Sequence, residues 1–372
     1  MHHVFLLPGF FGFTHLGEIV YFGHVREQLL AEFRRRGIPA TVVAIKSHPT
    51  ASIRTRARQA LEVIEQTVGS EGPIHLVGHS SGGLDARLLL SPGADLDRPP
   101  PSEALLSRVR SCVCVSSPHR GTPLAGFFLG LAGRQLLQLL SLFTSLVLRR
   151  ANLPLRLMLR VMHAVTRLDD VVLPRSGVDS LFNDLLGDFS EERRAAVLEF
   201  MKEIGADQTL MGQLTPDAMA VFDGATPDRP GVRYGWVGTL APRPTLRSRL
   251  ASGFNPYDQA THTLFNLLHR RSGKAVPGSL RFHSPVEERA VTSALGVRPQ
   301  AQDSDGIVPT LSQPHGILID AVVGDHLDAI GHFDAPQHTP PHYDWLTSGS
   351  SFDRRRFTAL WSKVVDFQSS GT

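Results

Sequence analysis

The sequence predicts an α/β fold: a mostly parallel sheet flanked by helices, broken by one large helical insertion. Three observations carry this. Short apolar runs alternate with longer helical patterns through the first 120 residues, the signature of a parallel sheet covered by helices. From Leu124 to about Thr215 the strand pattern vanishes and Leu-rich helical sequence takes over, and strands then resume. Finally, a strand runs into a Gly-x-Ser-x-Gly turn that opens a helix, at residues 78–82.

The early strands are His3 to Leu7, Ala40 to Ile45, Ile74 to Val77 and Val109 to Val115. Between them, Glu18 to Arg36 and Ile53 to Val68 space their apolar residues as helices do, with Gly37 and Gly69 as stops. These form two βαβ crossovers. Ser91 to Ser102, rich in Pro, Asp and Gly, reads as a surface loop. Val232 to Thr239 and Ile317 to Val323 complete the sheet, and Arg354 to Phe367 forms a closing helix. The stretch from Ala241 to Asp303 carries no pattern that assigns it. The expected organisation is a core of residues 1–123 and 216–372, with residues 124–215 inserted as a helical lid or cap.

Composition narrows the function. The chain has 372 residues, 42% hydrophobic and 20% charged, enough for a sizeable core. A formal charge of +3 is small for this size. The basic clusters Arg34 to Arg36 and Arg354 to Arg356 lack interleaved aromatics, so they read as solvated surface and nucleic acid is not an expected partner. The two cysteines, Cys112 and Cys114, sit two apart on one strand and are badly placed to bridge each other. No signal peptide is visible after Met1, which makes cytoplasm the default location, a secreted form with its leader removed being the alternative.

The turn GHSSGG at residues 78–83 singles out Ser80 as nucleophile. Strand, sharp turn and helix are the context this motif needs, because the serine backbone is strained and neighbouring chain passes close to the glycines. Ser81 is excluded by spacing, since His79 and not glycine stands two residues before it. A serine that attacks a carbonyl creates an oxyanion, normally held by two backbone N–H groups. One is that of the residue after the nucleophile, Ser81, and the other comes from the loop after an early strand. Within VFLLPGFFGF (residues 4–13) the residue after Pro8-Gly9 is Phe10.

This constellation belongs to the α/β-hydrolase fold, in which the acid and then the histidine follow the nucleophile in the chain. Asp305, before a glycine turn in AQDSDGIVP, and His326, in VGDHLDAIGHF after the last strand, fit that order. Asp303 and Asp325 compete as acids, and His315, His332 and His119 as bases. The acid would fix the imidazole tautomer, and the base would take the serine proton and return it to the leaving group.

Four blocks, LLPGFFG, GHSSGGLDAR, SSPHRGTP (116–123), and DSDGIVP with GDHLDAIG, resemble in content, order and rough spacing those of the bacterial triacylglycerol lipases of the Pseudomonas and Burkholderia type. They cover under a fifth of the chain but are spread along most of its length. The resemblance implies a lipase or esterase with Ser80, Asp305 and His326 as triad and Phe10 and Ser81 as oxyanion donors. It also implies a structural calcium near the catalytic histidine, for which Asp328 matches one carboxylate ligand. A second ligand has no match between Asp258 and Asp303, where Glu287 and Glu288 are the only carboxylates. The family's first block usually has His before Gly, where this chain has Pro8. His332, His338 and His342 lie in a Pro-rich loop and read as solvent-exposed rather than as a transition-metal set.

In the insertion, Gly126 to Leu148 is long and apolar, but Arg134, Gln138, Ser141 and Ser145 form one polar stripe, which argues an amphipathic helix over a membrane span. Arg156, Arg160, His163 and Arg167 repeat the pattern. Such a pair beside a hydrolase site reads as a cap over an acyl-binding pocket, able to touch a lipid interface. The expected substrates are carboxylic esters of lipid-like acids, cleaved without an organic cofactor. An acyltransferase using the same triad and a non-catalytic lipid-binding protein are the rival readings.

Overall fold

The computed structural model describes residues 1–10, 21–130, 190–245, 255–274 and 280–370. In chain order the elements are β1 (His2–Leu7), α1 (Gly23–Arg35), β2 (Ala40–Ala44), α2 (Ile53–Thr67), β3 (Ile74–His79), α3 (Ser81–Leu90), α4 (Glu103–Leu106), β4 (Val109–Val115) and α5 (Pro123–Leu129). There follow α6 (Glu191–Ala206), α7 (Thr209–Gln213), α8 (Pro216–Ala225), β5 (Arg233–Leu240), α9 (Pro256–Ser272), α10 (Pro285–Leu295), β6 (Ile317–Val323) and α11 (Arg354–Ser369).

The strands form one sheet in the order β2-β1-β3-β4-β5-β6, every neighbouring pair parallel. The chain builds outward from β1 to β2, crosses back to β3 and continues away from it. The order therefore reverses between β1 and β3, and in open parallel sheets ligands bind beyond the carboxyl ends of the strands at such a point. The loops after β1 and β3 meet there.

Because strand side chains alternate, a strand covered on both faces must be apolar throughout. Val4 and Leu6 of β1 join Val77, Val113 and Val115 under α1 and α11, against Phe33, Leu360 and Trp361. Phe5 and Leu7 face the other way, with Leu76, Cys112 and Cys114, against Ala57, Leu61 and Ile64 of α2 and Ala86 and Leu90 of α3. Cys112 and Cys114 are free, buried and on one face, as their spacing predicts. Trp361 is wholly buried and its Nε1 donates to the Ala329 carbonyl at 2.9 Å, tying α11 to the loop after β6. Truncating such a ring to alanine typically costs about 3–5 kcal/mol.

The strands lie within a residue or two of their predicted bounds. Gly37 takes a left-handed φ of 69° after α1. Gly69 does not: α2 ends at Thr67, and Gly72 (φ 93°) makes the turn into β3 instead. The unassigned stretch contains α9, opened by an Asn255 cap with Pro256 in its first turn, and α10, opened by a Ser284 cap. The paired amphipathic helices expected over 126–167 lie almost wholly outside the described residues. At the margins of that stretch, the Thr122 N–H donates to the Leu214 carbonyl at 2.9 Å. Among the described residues no helix is long and apolar enough to cross a membrane.

Candidate active site

Ser80 stands between β3 and α3 with φ 55° and ψ −130°, a conformation an L side chain rarely takes, and is 5% exposed. Its N–H donates to the Val115 carbonyl at 2.8 Å. The glycines around it answer to close approach. A Cβ on Gly82 would lie 2.1 Å from the Leu7 carbonyl oxygen, and one on Gly9 would lie 2.5 Å from Ser80 Cβ. The loop after β1 is thus pressed onto the turn after β3. Ser81 opens α3, where the helix N-terminus favours developing negative charge. Its own hydroxyl is buried without a hydrogen-bond partner. Phe10 follows Gly9, with its ring stacked on Phe128 of α5 at 6.0 Å.

Asp305 and His326, 21 residues apart, are joined by a 2.8 Å hydrogen bond from Nδ1 to Oδ2, with Asp305 wholly buried and His326 nearly so. Nδ1 must carry the proton in this pair, which leaves Nε2 free to accept one. Gly306 at φ 99° turns the Asp305 loop so that the N–H groups of Ile307 and Val308 donate to Oδ1 at 3.0 and 2.8 Å. Oδ2 also accepts from Thr239 Oγ1 at 2.8 Å and Gln313 Nε2 at 3.3 Å.

The competing residues are engaged elsewhere. Asp303 binds Arg243 at 2.7 Å and the Gln300 N–H at 2.8 Å. His119 stacks on His315, which bonds Asp228 at 3.0 Å and precedes β6, where the parallel strands begin rather than where they end. His332 bonds the Tyr21 carbonyl and stacks on Trp345. The expectation of a solvent-exposed histidine loop is corrected for two members: His332 and His342 are 5% and 4% exposed, and His342 is sandwiched between His24 and Phe333. Aromatic stacking in a loop of prolines leaves no periodic signature, so burial there was not readable from sequence.

Several supporting residues have little local signature. His79 Nε2 donates to the His326 carbonyl at 2.8 Å, so its Nδ1 accepts the Tyr21 hydroxyl proton at 2.6 Å. The Tyr21 oxygen in turn accepts the Gly9 N–H at 3.3 Å. Burial, and then the neighbouring His326, hold His79 well below the usual imidazole range, as a neutral bridge requires. One chain of bonds thus joins the loop after β1, the serine turn and the histidine loop. Arg56, wholly buried in α2, pairs with Asp85 of α3 at 2.8 Å and donates to the carbonyls of Pro8 and His48. Burial pushes the Asp85 carboxyl up to about 6, against the pull of Arg56. The one clue was position: His79 lies inside the serine motif, and Arg56 is a charge among the apolar residues of a helix.

Beside the histidine loop, carboxylate oxygens of Asp325, Asp328 and Asp344 lie within 4.8 Å of one another. Asp325 and Asp328 are buried and Asp344 half-buried. Asp325 Oδ2 has no hydrogen-bond partner, whereas Asp328 accepts from the Asp325 N–H and the Ser350 hydroxyl. Burial first, and mutual repulsion second, hold all three carboxyls well above the usual range. Asp328 thus has neighbouring carboxylates after all, on either side of it in the chain and not in the stretch from Asp258 to Asp303. Hard oxygen donors with one orphaned buried atom fit a calcium ion.

No family model matches the sequence, and no curated protein matches it. The structure is similar to that of EstA from Clostridium botulinum (17% identity, TM-score 0.51), over 97% of this chain and 87% of that one. It is similar to lipase 1 from Pelosinus fermentans (16%, TM-score 0.52), over 100% and 99% of the two chains. Likewise it resembles Staphylococcus hyicus lipase (15%, TM-score 0.50), over 99% and 95%. At such identities the likeness shows the fold, and the parallel sheet with its flanking helices is the α/β-hydrolase fold.

Proposed function

We propose that the protein is a carboxylic ester hydrolase of the lipase or esterase kind, with Ser80 as nucleophile, His326 as base and Asp305 as acid. The observation that carries this reading is the buried Asp305–His326 hydrogen bond, held beside the strained serine turn by His79. The names of the similar structures, two lipases and an EstA, agree with it.

In this reading His326 Nε2 takes the Ser80 proton as Oγ attacks the ester carbonyl, and the oxyanion accepts from the N–H groups of Ser81 and Phe10. Asp305 stabilises the imidazolium, which gives its proton to the departing alcohol. Water then repeats the sequence on the acyl-enzyme and releases the acid. Lipid-like acyl groups are the proposed substrates, within the Pseudomonas and Burkholderia resemblance carried by the motif blocks. A calcium held by Asp325, Asp328 and Asp344 would brace the loop that carries His326. It takes no part in the chemistry above. The hydrogen bond from Thr122 to Leu214 brings together the two ends of residues 124–215, which supports reading that stretch as an insertion, here proposed as a lid or cap.

The test is hydrolysis of p-nitrophenyl esters from acetyl to palmitoyl by wild type and Ser80→Ala, with fluorophosphonate labelling alongside. Turnover peaking at medium or long chains and absent from the variant is expected. A wild type that is inert on every ester and unlabelled at Ser80 would overturn the reading.

A further inference from the structure

The block SSPHRGTP, which follows β4, has no role in the reaction described above, yet it is stitched to the loop that carries Asp305. The Arg120 N–H donates to Ser312 Oγ at 3.1 Å, and the Ser312 hydroxyl donates to the Gly121 carbonyl at 2.7 Å. Arg120 Nη1 donates to the Leu311 carbonyl at 2.9 Å. Thr122, 3% exposed, donates its hydroxyl to the Ile307 carbonyl at 2.6 Å. A carbonyl oxygen cannot donate, so the direction of this last bond is fixed.

The peptide that accepts it is one that reaches the carboxylate. The Ile307 carbonyl and the Val308 N–H belong to one planar trans unit and point in opposite directions, and that N–H donates to Asp305 Oδ1 at 2.8 Å. Thr122 therefore holds one end of an amide whose other end holds the acid. An amide whose oxygen accepts a hydrogen bond donates more strongly from its nitrogen, because bonds in such a chain polarise one another. Fixing Oδ1 fixes the carboxylate, and with it the direction of Oδ2 toward His326 Nδ1, 2.8 Å away. Thr122 also stands at the root of the insertion. Its Oγ1 caps α5 by accepting the Leu124 N–H at 3.3 Å, and its own N–H donates to the Leu214 carbonyl at 2.9 Å.

Resting on Asp305 as the acid of the triad, we propose that Thr122 is a positioning residue: its hydroxyl, acting through the Ile307–Val308 amide, holds the Asp305 carboxylate toward His326 and ties the acid to the root of the insertion. It acts on the reaction through that amide and not by contact with the reacting atoms.

The experiment measures the melting temperature, and kcat and KM on p-nitrophenyl butyrate, for wild type, Thr122→Val, Thr122→Ala, Thr122→Ser and Thr215→Val. Thr122→Val should lower kcat about three- to tenfold, the size of one neutral hydrogen bond, with KM unchanged. Thr122→Ala, which loses the hydroxyl without burying a second methyl, should lose the same kcat. Thr122→Ser keeps the donor and should keep wild-type kcat. Thr215→Val controls for a lost helix cap: Thr215 Oγ1 caps α8, accepting the Ala218 N–H at 3.4 Å, so this variant should lower the melting temperature and leave kcat alone. Wild-type kcat in both Thr122→Val and Thr122→Ala, a Thr122→Ser enzyme as slow as Thr122→Val, or an equal kcat loss in Thr215→Val would overturn the proposal while leaving the hydrolase reading intact. A wild type without turnover or Ser80 labelling overturns both.

Discussion

Replacing Asp305 by Asn changes almost no volume and should nonetheless remove nearly all activity, for a reason the hydrogen bonds dictate. Oδ1 accepts two backbone N–H groups, from Ile307 and Val308, and an amide nitrogen cannot stand there without facing two donors. The asparagine must keep its oxygen on those N–H groups and turn its NH2 toward His326, Thr239 and Gln313. His326 Nδ1 would then have to accept, its proton would move to Nε2, and the ring could no longer take a proton from Ser80. In a serine protease the same exchange costs about 10⁴ in kcat, which is about 5.5 kcal/mol of barrier. Steady-state hydrolysis of p-nitrophenyl esters measures the loss, with near-UV circular dichroism to verify the fold. Asp303→Asn is the control: its partner Arg243 is largely exposed, and such a pair contributes about 0–1 kcal/mol. An Asp305→Asn enzyme within tenfold of wild type, or an Asp303→Asn enzyme that is dead, would refute the assignment.

Arg56→Met strands Asp85 as a buried carboxyl and should cost about 3–5 kcal/mol of stability by urea unfolding. Adding Asp85→Leu should recover most of the stability but not the activity, since the Pro8 carbonyl still lacks its donor; recovery of both would mean that Arg56 does not support the oxyanion loop. Calcium at about 100 times its dissociation constant should stabilise the fold by about 2.7 kcal/mol, and Asp325→Asn should abolish most of that gain; a melting curve indifferent to calcium and to chelator would remove the proposed ion. His75 is buried between Ser111 and His2, and burial lowers its pKa from 6.5 to about 3. The folded value lies below the unfolded one, so this neutral imidazole favours folding fully above pH 6.5 and progressively less as pH falls toward 3. His75→Gln should flatten the acid side of the stability curve by at most about 1.4 kcal/mol per pH unit; an unchanged slope between pH 6.5 and 4.5 would sink the argument.

Local pattern alone determined the sheet and the serine turn. A strand buried on both faces has to be apolar, as in β1 and β4, and a turn against which the Leu7 and Pro8 carbonyls press has to carry glycine at 82, so both requirements are written in consecutive residues. Chain order along the fold then narrowed the acid and base to a few candidates. Only the tertiary structure separates the surroundings of Asp305 from those of Asp303, because the distinction lies in whether a side chain meets His326 or Arg243, partners far along the chain. It alone brought Thr239, Gln313, Tyr21 and Arg56 to the site, and set Asp344 beside Asp328. A buried hydrogen bond needs only that two polar atoms meet once in space, which imposes no period and no spacing on the sequence. The helices α9 and α10 escaped for a related reason: their caps are local, but what makes them stable is the surface they pack against, and that surface is assembled from elsewhere in the chain.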